Sequence, residues 1–425
     1  MSNQTAKPRN IAMPRIPITA TVCALVLFVY LAVATCASAG EGDILLGYTK
    51  ASEPEMVQSA GKLTPAYLRC EYKVNPLGID VAVPRLSWVV ESKHRGQKQT
   101  AYRVIVAGSE KKLRAGIGDL WDTGRVESDE TSCLEYGGKD LASRTRCYWK
   151  VRVWDKTGRC SGWSRPAMWT MGLVKESDWQ GQWVGYDEPR SALEEKGTPA
   201  DTKEGLFLPP PRYLRKEFVA KRPVRRATVY ATALGLYELY INGCRVGEDY
   251  FTPGWTDYNI RVYYNTYDVS GLVHKGRNAI GAILADGWYA GYIGYEHKRD
   301  HYGKNPRLRL QLEVEYADGS TEIVASDSSW KAATGVLLEA DFLMGETCDA
   351  QRQMPGWNAP GFDDTGWKPV DVTASIDAKL QAYPGATVRR FAEHKPVSIT
   401  EPKPGVYVFD MGVNFTGWVR LNVRG

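Results

Sequence analysis

An all-β chain of tandem β-sandwich modules is what this sequence predicts, and three observations carry the prediction. Apolar residues alternate with period two over short stretches. Turn residues separate those stretches at intervals of about ten residues. No stretch after residue 40 keeps a long helical periodicity. The composition agrees, since Trp 14, Tyr 24 and Gly 41 in 425 residues favour pleated surfaces and tight turns over helices. A hydrophobic content of 43% with 24% charged residues is enough to build cores and excludes wholesale disorder. The net charge is only +5, and the basic residues are scattered. That distribution excludes a dedicated nucleic-acid binder.

The chain opens with an export signal, residues 1–39. Lys7, Arg9 and Arg15 form a basic start, Val22 to Val33 is nearly all apolar, and Ala37, Ser38 and Ala39 supply a small-residue cleavage site; we place cleavage after Ala39. An exported, periplasmic or extracellular location follows, with no membrane association after cleavage. Six cysteines then remain: Cys70, Cys133, Cys147, Cys160, Cys244 and Cys348. Their wide spacing matches no zinc pattern, and both buried thiols and disulfides fit it. Residues 40–65 are small and polar, a linker.

Short strands begin at Ala66. Leu86–Val90 is one. Ala101–Ala107 alternates, and so does Cys147–Trp154, with Tyr148, Lys150, Arg152 and Trp154 on one face. Asp122-Thr-Gly124, Gly137-Gly138 and Lys156-Thr-Gly158 punctuate them. Residues 66–173 therefore read as one antiparallel sandwich. Ser161-Gly-Trp-Ser164 ahead of Ala167–Thr170 looks like the end of a fibronectin type III or Ig-like module.

Residues 178–372 read as a second, larger sandwich of jelly-roll type. Ser191–Pro211 is a surface loop or insertion. Strand signals resume at Tyr213–Phe218, Arg226–Thr232, Tyr237–Ile241, Ala279–Leu284, Arg307–Tyr316 and Glu322–Ala325. In Arg307–Tyr316 the alternation puts Leu308, Leu310, Leu312 and Val314 inside and Arg309, Gln311, Glu313 and Glu315 outside. Asn242-Gly243 and Asp318-Gly319 are hairpin turns. Residues 388–425 open a third β module, with Val406–Asp410 and Gly417–Val423 expected to pair. Two strands cannot bury a core alone, so this module reads as truncated.

A family resemblance covers Ala66 to Gly425. Ala233–Gly243, Val246-Gly-Glu248, Pro253–Tyr258, Tyr267-Asp-Val269, Gly276–Ala279, Asp286–Gly291, Gly345-Glu346 with Asp349-Ala350, Gly356-Trp357, Phe362–Asp364 with Trp367, and Asp410–Trp418 occur in one order. That order resembles the N-terminal region of bacterial α-L-rhamnosidases. Cys348 and Gln351 depart from the family, which usually has Tyr and Arg around the Asp-Ala pair. The resemblance implies an enzyme that removes terminal α-L-rhamnose from glycans or glycosides with inversion. Its acids would sit on an (α/α)₆ barrel, in an Arg-Asp-Glu segment. No Arg-Asp-Glu occurs here, since Arg299-Asp300 is followed by His301. The barrel is therefore expected beyond these residues, as the missing C-terminal partner, and no catalytic residue is assigned.

The remaining candidates concern sugar binding. Trp255, Asp257 and Tyr258 form one aromatic-plus-acid group; Asp286, Trp288 and Tyr289 form another. Such sets suit the C–H face and the hydroxyls of a sugar; packing of these aromatics into the sandwich is the competing reading. The resemblance also makes calcium a candidate cofactor, with Asp249, Asp257, Asp286 and Glu346 as available ligand types; none is required. His297, Asp300 and His301 have metal-like spacing in what reads as a surface loop, and Asp363-Asp364 read as turn caps. The sequence thus points to the N-terminal portion of a secreted α-L-rhamnosidase, with a non-catalytic carbohydrate-binding or scaffold protein as the alternative.

Overall fold

The computed structural model describes residues 63–187, 206–294, 298–373 and 376–422. The expected export signal, most of the linker, most of the Ser191–Pro211 loop and His297 lie outside the described residues. Within them the chain is β-structure throughout, and its two α-helices, Glu110–Arg114 and Gly287–Ala290, are about one turn each. No helix among the described residues is long and apolar enough to cross a membrane.

The first sandwich packs two sheets. One joins Thr64–Cys70, Arg85–Glu91 and Leu134–Glu135; the other is built on Gln99–Ala107, Arg146–Asp155 and Ala167–Thr170. Arg146–Asp155 shows why this folds as it does. Its burial alternates without a break, so Cys147, Trp149, Val151 and Val153 meet Leu86, Trp88 and Trp169 in the core. The serines of Ser161-Gly-Trp-Ser164 serve the strand's backbone: Val153 N–H donates to Ser161 Oγ (3.0 Å) and Val151 N–H to Ser164 Oγ (3.1 Å). This lays Trp163 over the other face, where Lys150 and the guanidiniums of Arg152 and Arg103 lie 4.9, 4.5 and 5.9 Å from its ring, a cation–π ladder.

The second sandwich faces a six-stranded sheet against a seven-stranded one. The first runs Cys244–Arg245, Leu236–Ile241, Gly276–Ala285, Arg212–Ala220, Lys331–Ala333 and Lys368–Pro369. The second centres on Val224–Leu234, Arg261–Asp268 and Arg307–Tyr316. Leu308, Leu310, Leu312 and Val314 point into the shared core with Val229, Ala231, Ile280, Leu284 and Trp330. Asn242 and Gly243 both have positive φ, 51° and 84°, between the paired residues Ile241 and Cys244, the two-residue turn expected. Gln311 departs from the reading: it is 0% exposed. The chain at 178–182 covers this face, Gln180 N–H donating to Gln311 Oε1 (2.7 Å) and Gln311 Nε2 to the Asp178 carbonyl (3.2 Å).

Two boundaries differ from expectation. The second sandwich continues past Val372: Lys379–Ala382 pairs in parallel with Arg261–Tyr264, and Val388–Arg389 pairs with Asp249–Tyr250. The same late strand stitches the two sandwiches, with Ala382 N–H donating to Asp80 Oδ2 (2.6 Å) and Lys73 Nζ to the Tyr383 carbonyl (2.5 Å). Arg144 adds an ion pair to Glu313 (2.7 Å). At the same junction Gly78, with φ +73°, approaches Thr266 so closely that a Cβ would stand 2.1 Å from its hydroxyl.

Residues 390–422 form a separate compact unit. There Val406–Asp410 pairs with Ser398–Lys403 rather than with residues 417–423, and 417–422 carries no strand. Ser398–Lys403 is exposed at every position, so no apolar alternation marked it. Cys70, Cys133, Cys147, Cys160 and Cys348 are free thiols; Cys70 and Cys147 are buried core residues.

Candidate functional site

The loop between Asp249–Tyr250 and Arg261–Asp268 carries Trp255, and the short helix Gly287–Ala290 carries Trp288. The two indoles stack 5.9 Å apart and 5° from parallel. Phe342 tilts against Trp288 at 4.8 Å, while Phe251 meets Trp288 edge-on at 6.2 Å and Phe342 at 5.0 Å. Trp288 is thus backed on several sides, and Trp255 is 54% exposed. A half-exposed indole held rigidly by a second is a platform suited to the C–H face of a sugar ring.

The other predicted residues divide. Asp257 is exposed beside the platform and is turned inward locally: its Oδ1 accepts from Asn259 N–H and Nδ2, both 3.0 Å, and its carbonyl accepts from Ile260 and Arg261 N–H. Tyr258 is 4% exposed, packed with Trp183, Leu234 and Val262, and burial pushes its phenol well above the usual range. Tyr289 packs edge-on against Tyr258 at 5.4 Å. Tyr258 is thus a packing residue, which corrects its reading as a sugar ligand; Tyr289 is half-buried against it.

Asp286 is corrected as well. It is 2% exposed and ion-paired to Arg299 (2.7 Å) and Arg212 (3.1 Å). Burial raises its carboxyl, and the two guanidiniums oppose that shift. Arg299 also donates to the Phe207 carbonyl (2.5 Å) and to Asp300 (3.2 Å) and lies over the Phe207 ring. Asp286 therefore anchors the segment that presents Trp288 and has no free face for a ligand.

The four calcium candidates are not brought together. Asp249 is buried and accepts from Thr387 Oγ1 (2.5 Å) and Arg389 Nε (2.8 Å), Asp286 is held by its arginines, and Asp257 is on the outer loop. Glu346 lies on the Gly345–Cys348 strand, where burial and then Glu238 push its carboxyl up to about 6. No group of three or more His, Cys, Asp or Glu able to hold a metal occurs among the described residues. Asp300 and His301 lie in a loop, not on a helix. Asp363 caps its turn by accepting from Thr365 N–H (3.1 Å) and hydroxyl (2.8 Å); Asp364 instead pairs with buried Arg215 and with Lys331 (2.7 Å).

A second concave region lies between the two sandwiches, a cleft of about 470 Å³ whose lining includes Arg144, Asp178, Arg226, Asp268, Glu313 and Glu315. Its charges largely satisfy one another, Arg144 with Glu313 and Arg226 with Glu315, so it serves as a polar junction. Sequence reasoning missed Phe251, Phe342 and Asp341 on the platform. The usable signal was two phenylalanines in turn-rich stretches that fit no alternation.

Residues 65–175 match the Rha78A-like N-terminal immunoglobulin domain, and residues 222–392 match the alpha-L-rhamnosidase N-terminal domain. An alpha-L-rhamnosidase of Streptomyces avermitilis is 32% identical over 84% of this chain and 49% of its own length. One from Alteromonas sp. is 36% identical over 81% of this chain and 37% of its own. Among solved structures, the Streptomyces avermitilis alpha-L-rhamnosidase complexed with L-rhamnose superposes with TM-score 0.74 and 31% identity, covering 83% of this chain and 49% of that one. The Dictyoglumus thermophilum alpha-L-rhamnosidase gives TM-score 0.75 and 37% identity over 85% of this chain and 40% of that one. The chain thus spans about half the length, or less, of these relatives.

Proposed function

We propose that this chain, which carries the N-terminal modules of the alpha-L-rhamnosidase family, is the N-terminal portion of an exported enzyme that hydrolyses terminal α-L-rhamnosyl residues with inversion. Inversion needs one carboxylic acid to protonate the leaving oxygen and one carboxylate to activate water across the bond, ~6.5–9.5 Å apart. The acids around the aromatic platform suit neither role. Asp286 is locked between two arginines, and Asp341 accepts backbone N–H groups. The catalytic pair then belongs to a further domain, and residues 1–425 alone leave an aryl α-L-rhamnoside intact. Calcium has no step in this reading, because the candidate acids do not converge.

The contribution of these residues is β-sandwich support and weak L-rhamnose binding on the Trp255–Trp288 platform. The observation that carries it is an indole 54% exposed and stacked on a second, nearly parallel indole. The relative solved with L-rhamnose supports the choice of sugar. A monosaccharide touches few atoms, so affinity should fall near −4 to −6 kcal/mol, roughly millimolar to tens of micromolar. Titration calorimetry with L-rhamnose should show that heat, and Trp255→Ala should abolish it. Turnover of the aryl rhamnoside by the purified chain would defeat the division of labour; absence of heat would leave these aromatics as packing.

A further inference from the structure

We propose that Asp341 is the positioning residue of this platform, fastening a free-standing hairpin to the helix that presents Trp288; the proposal rests on the platform reading above. The hairpin consists of Leu337–Asp341 and Gly345–Cys348, a two-stranded sheet that shares no ladder with any other described strand. An isolated two-stranded ribbon is marginal on its own, so something else must fix where its tip lies.

Asp341 does so with both carboxylate oxygens. Oδ1 accepts from Leu343 N–H and Met344 N–H, each 2.9 Å, closing the hairpin's own turn. Oδ2 crosses to the other segment and accepts from Tyr292 N–H (2.8 Å), just past the end of Gly287–Ala290. The approach is so close that a Cβ on Gly291 would stand 2.7 Å from Oδ2 and 2.5 Å from the Gly287 carbonyl, which only glycine permits. Between these two anchors the hairpin tip sets Phe342 against Trp288 and Phe251. Three backbone donors take three of the four or so acceptor sites of a carboxylate, so Asp341 acts through Phe342 and Trp288 and does not serve as a sugar ligand.

The test uses the whole chain with L-rhamnose and L-mannose as probes, the second sugar replacing the methyl group by a hydroxymethyl. Asp341→Asn should weaken L-rhamnose about five- to tenfold, about 1–1.4 kcal/mol, and narrow the preference over L-mannose. Gly291→Ala should do the same from the other side of the contact, with the double variant no worse than either single one. Fluorine NMR of chain labelled with fluorotryptophan, the Trp288 resonance assigned with Trp288→Phe, supplies a readout free of ligand. Asp341→Asn should shift the Trp288 resonance and leave that of buried Trp149 in place. An unmoved Trp288 resonance overturns the proposal. Wild-type affinity in Asp341→Asn, with binding lost in Trp255→Ala, overturns it while sparing the platform. A shifted resonance in a chain that binds no rhamnose would sink the sugar reading and keep the positioning role.

Discussion

Trp149 and Trp255 sit in adjacent sandwiches and meet opposite surroundings. Trp149 lies mid-strand between Cys147 and Val151, opposite Val106, and is 0% exposed against Trp169 at 6.5 Å. Period two leaves it no alternative, since turning it outward would turn the whole inward set out with it. Trp255 lies in a loop, where no ladder dictates a face, and one partner ring covers one side of it. Burial of the first is a property of the strand; exposure of the second is a property of that one position. Nor is polar satisfaction what separates them: the Trp149 and Trp169 indole N–H groups find no acceptor among the described residues, so the core tolerates the rings for their apolar area.

The comparison can be broken most easily at its buried end. Trp149→Ala should lower stability by about 3–5 kcal/mol through lost contact and a residual cavity, read as a shift in the urea midpoint; a loss under about 1 kcal/mol would mean the module collapses around the gap. Next, Asp286→Asn removes the charge that two buried guanidiniums share, and should lower stability by about 2–3 kcal/mol. If it instead stabilises, the arginines have solvent to turn to and the anchor reading fails.

The third case sharpens the contrast through pH. Glu346 is held up at about 6 against an ordinary 4.5 by burial and by Glu238. Between those values the folded chain keeps a proton that the unfolded chain has released. Stability contributed by this group therefore falls as pH rises through that window and is flat above it. A rise of this size corresponds to about 2 kcal/mol for a fully buried group; Glu346 is only partly buried, so under about 1 kcal/mol is expected. Glu346→Gln should flatten that slope in thermal melts from pH 4 to 7, and an unchanged slope assigns it elsewhere. The smallest stability effect belongs to Trp255→Ala, within about 0.5 kcal/mol, although it should abolish rhamnose heat. A large loss of stability there would make Trp255 a core residue like Trp149.

The same distinction explains what could be read in advance. Arg307–Tyr316 and Cys147–Trp154 announced their inward faces because a strand's two sides are set by its own residues. Gln311 was misread because its outward side is covered by residues 178–182, a fact about a distant segment. Asp286 reads as a sugar ligand in the sequence because its partners come from elsewhere in the chain: Arg212 is 74 residues away and Arg299 is 13. The Trp255–Trp288 stack was half legible as two aromatic-plus-acid groups; the backing by Phe342 depends on a hairpin whose placement rests on one carboxylate. The Val406–Asp410 hairpin was assigned the wrong partner because Ser398–Lys403, exposed along its whole length, has no apolar side to reveal.

The strand at Lys379–Ala382 bears on the timing of synthesis. It completes the seven-stranded sheet and supplies the backbone N–H that Asp80 accepts, a contact spanning 302 residues of sequence. At translation rates of ~5–20 residues per second, Asp80 waits on the order of 15–60 seconds for its partner. During that interval the first sandwich can close its own core, while the surface that will meet the second stays open. Until residue 382 arrives the junction lacks this strand's contacts, so a protease acting on nascent chains should cut there more readily before that point than after it.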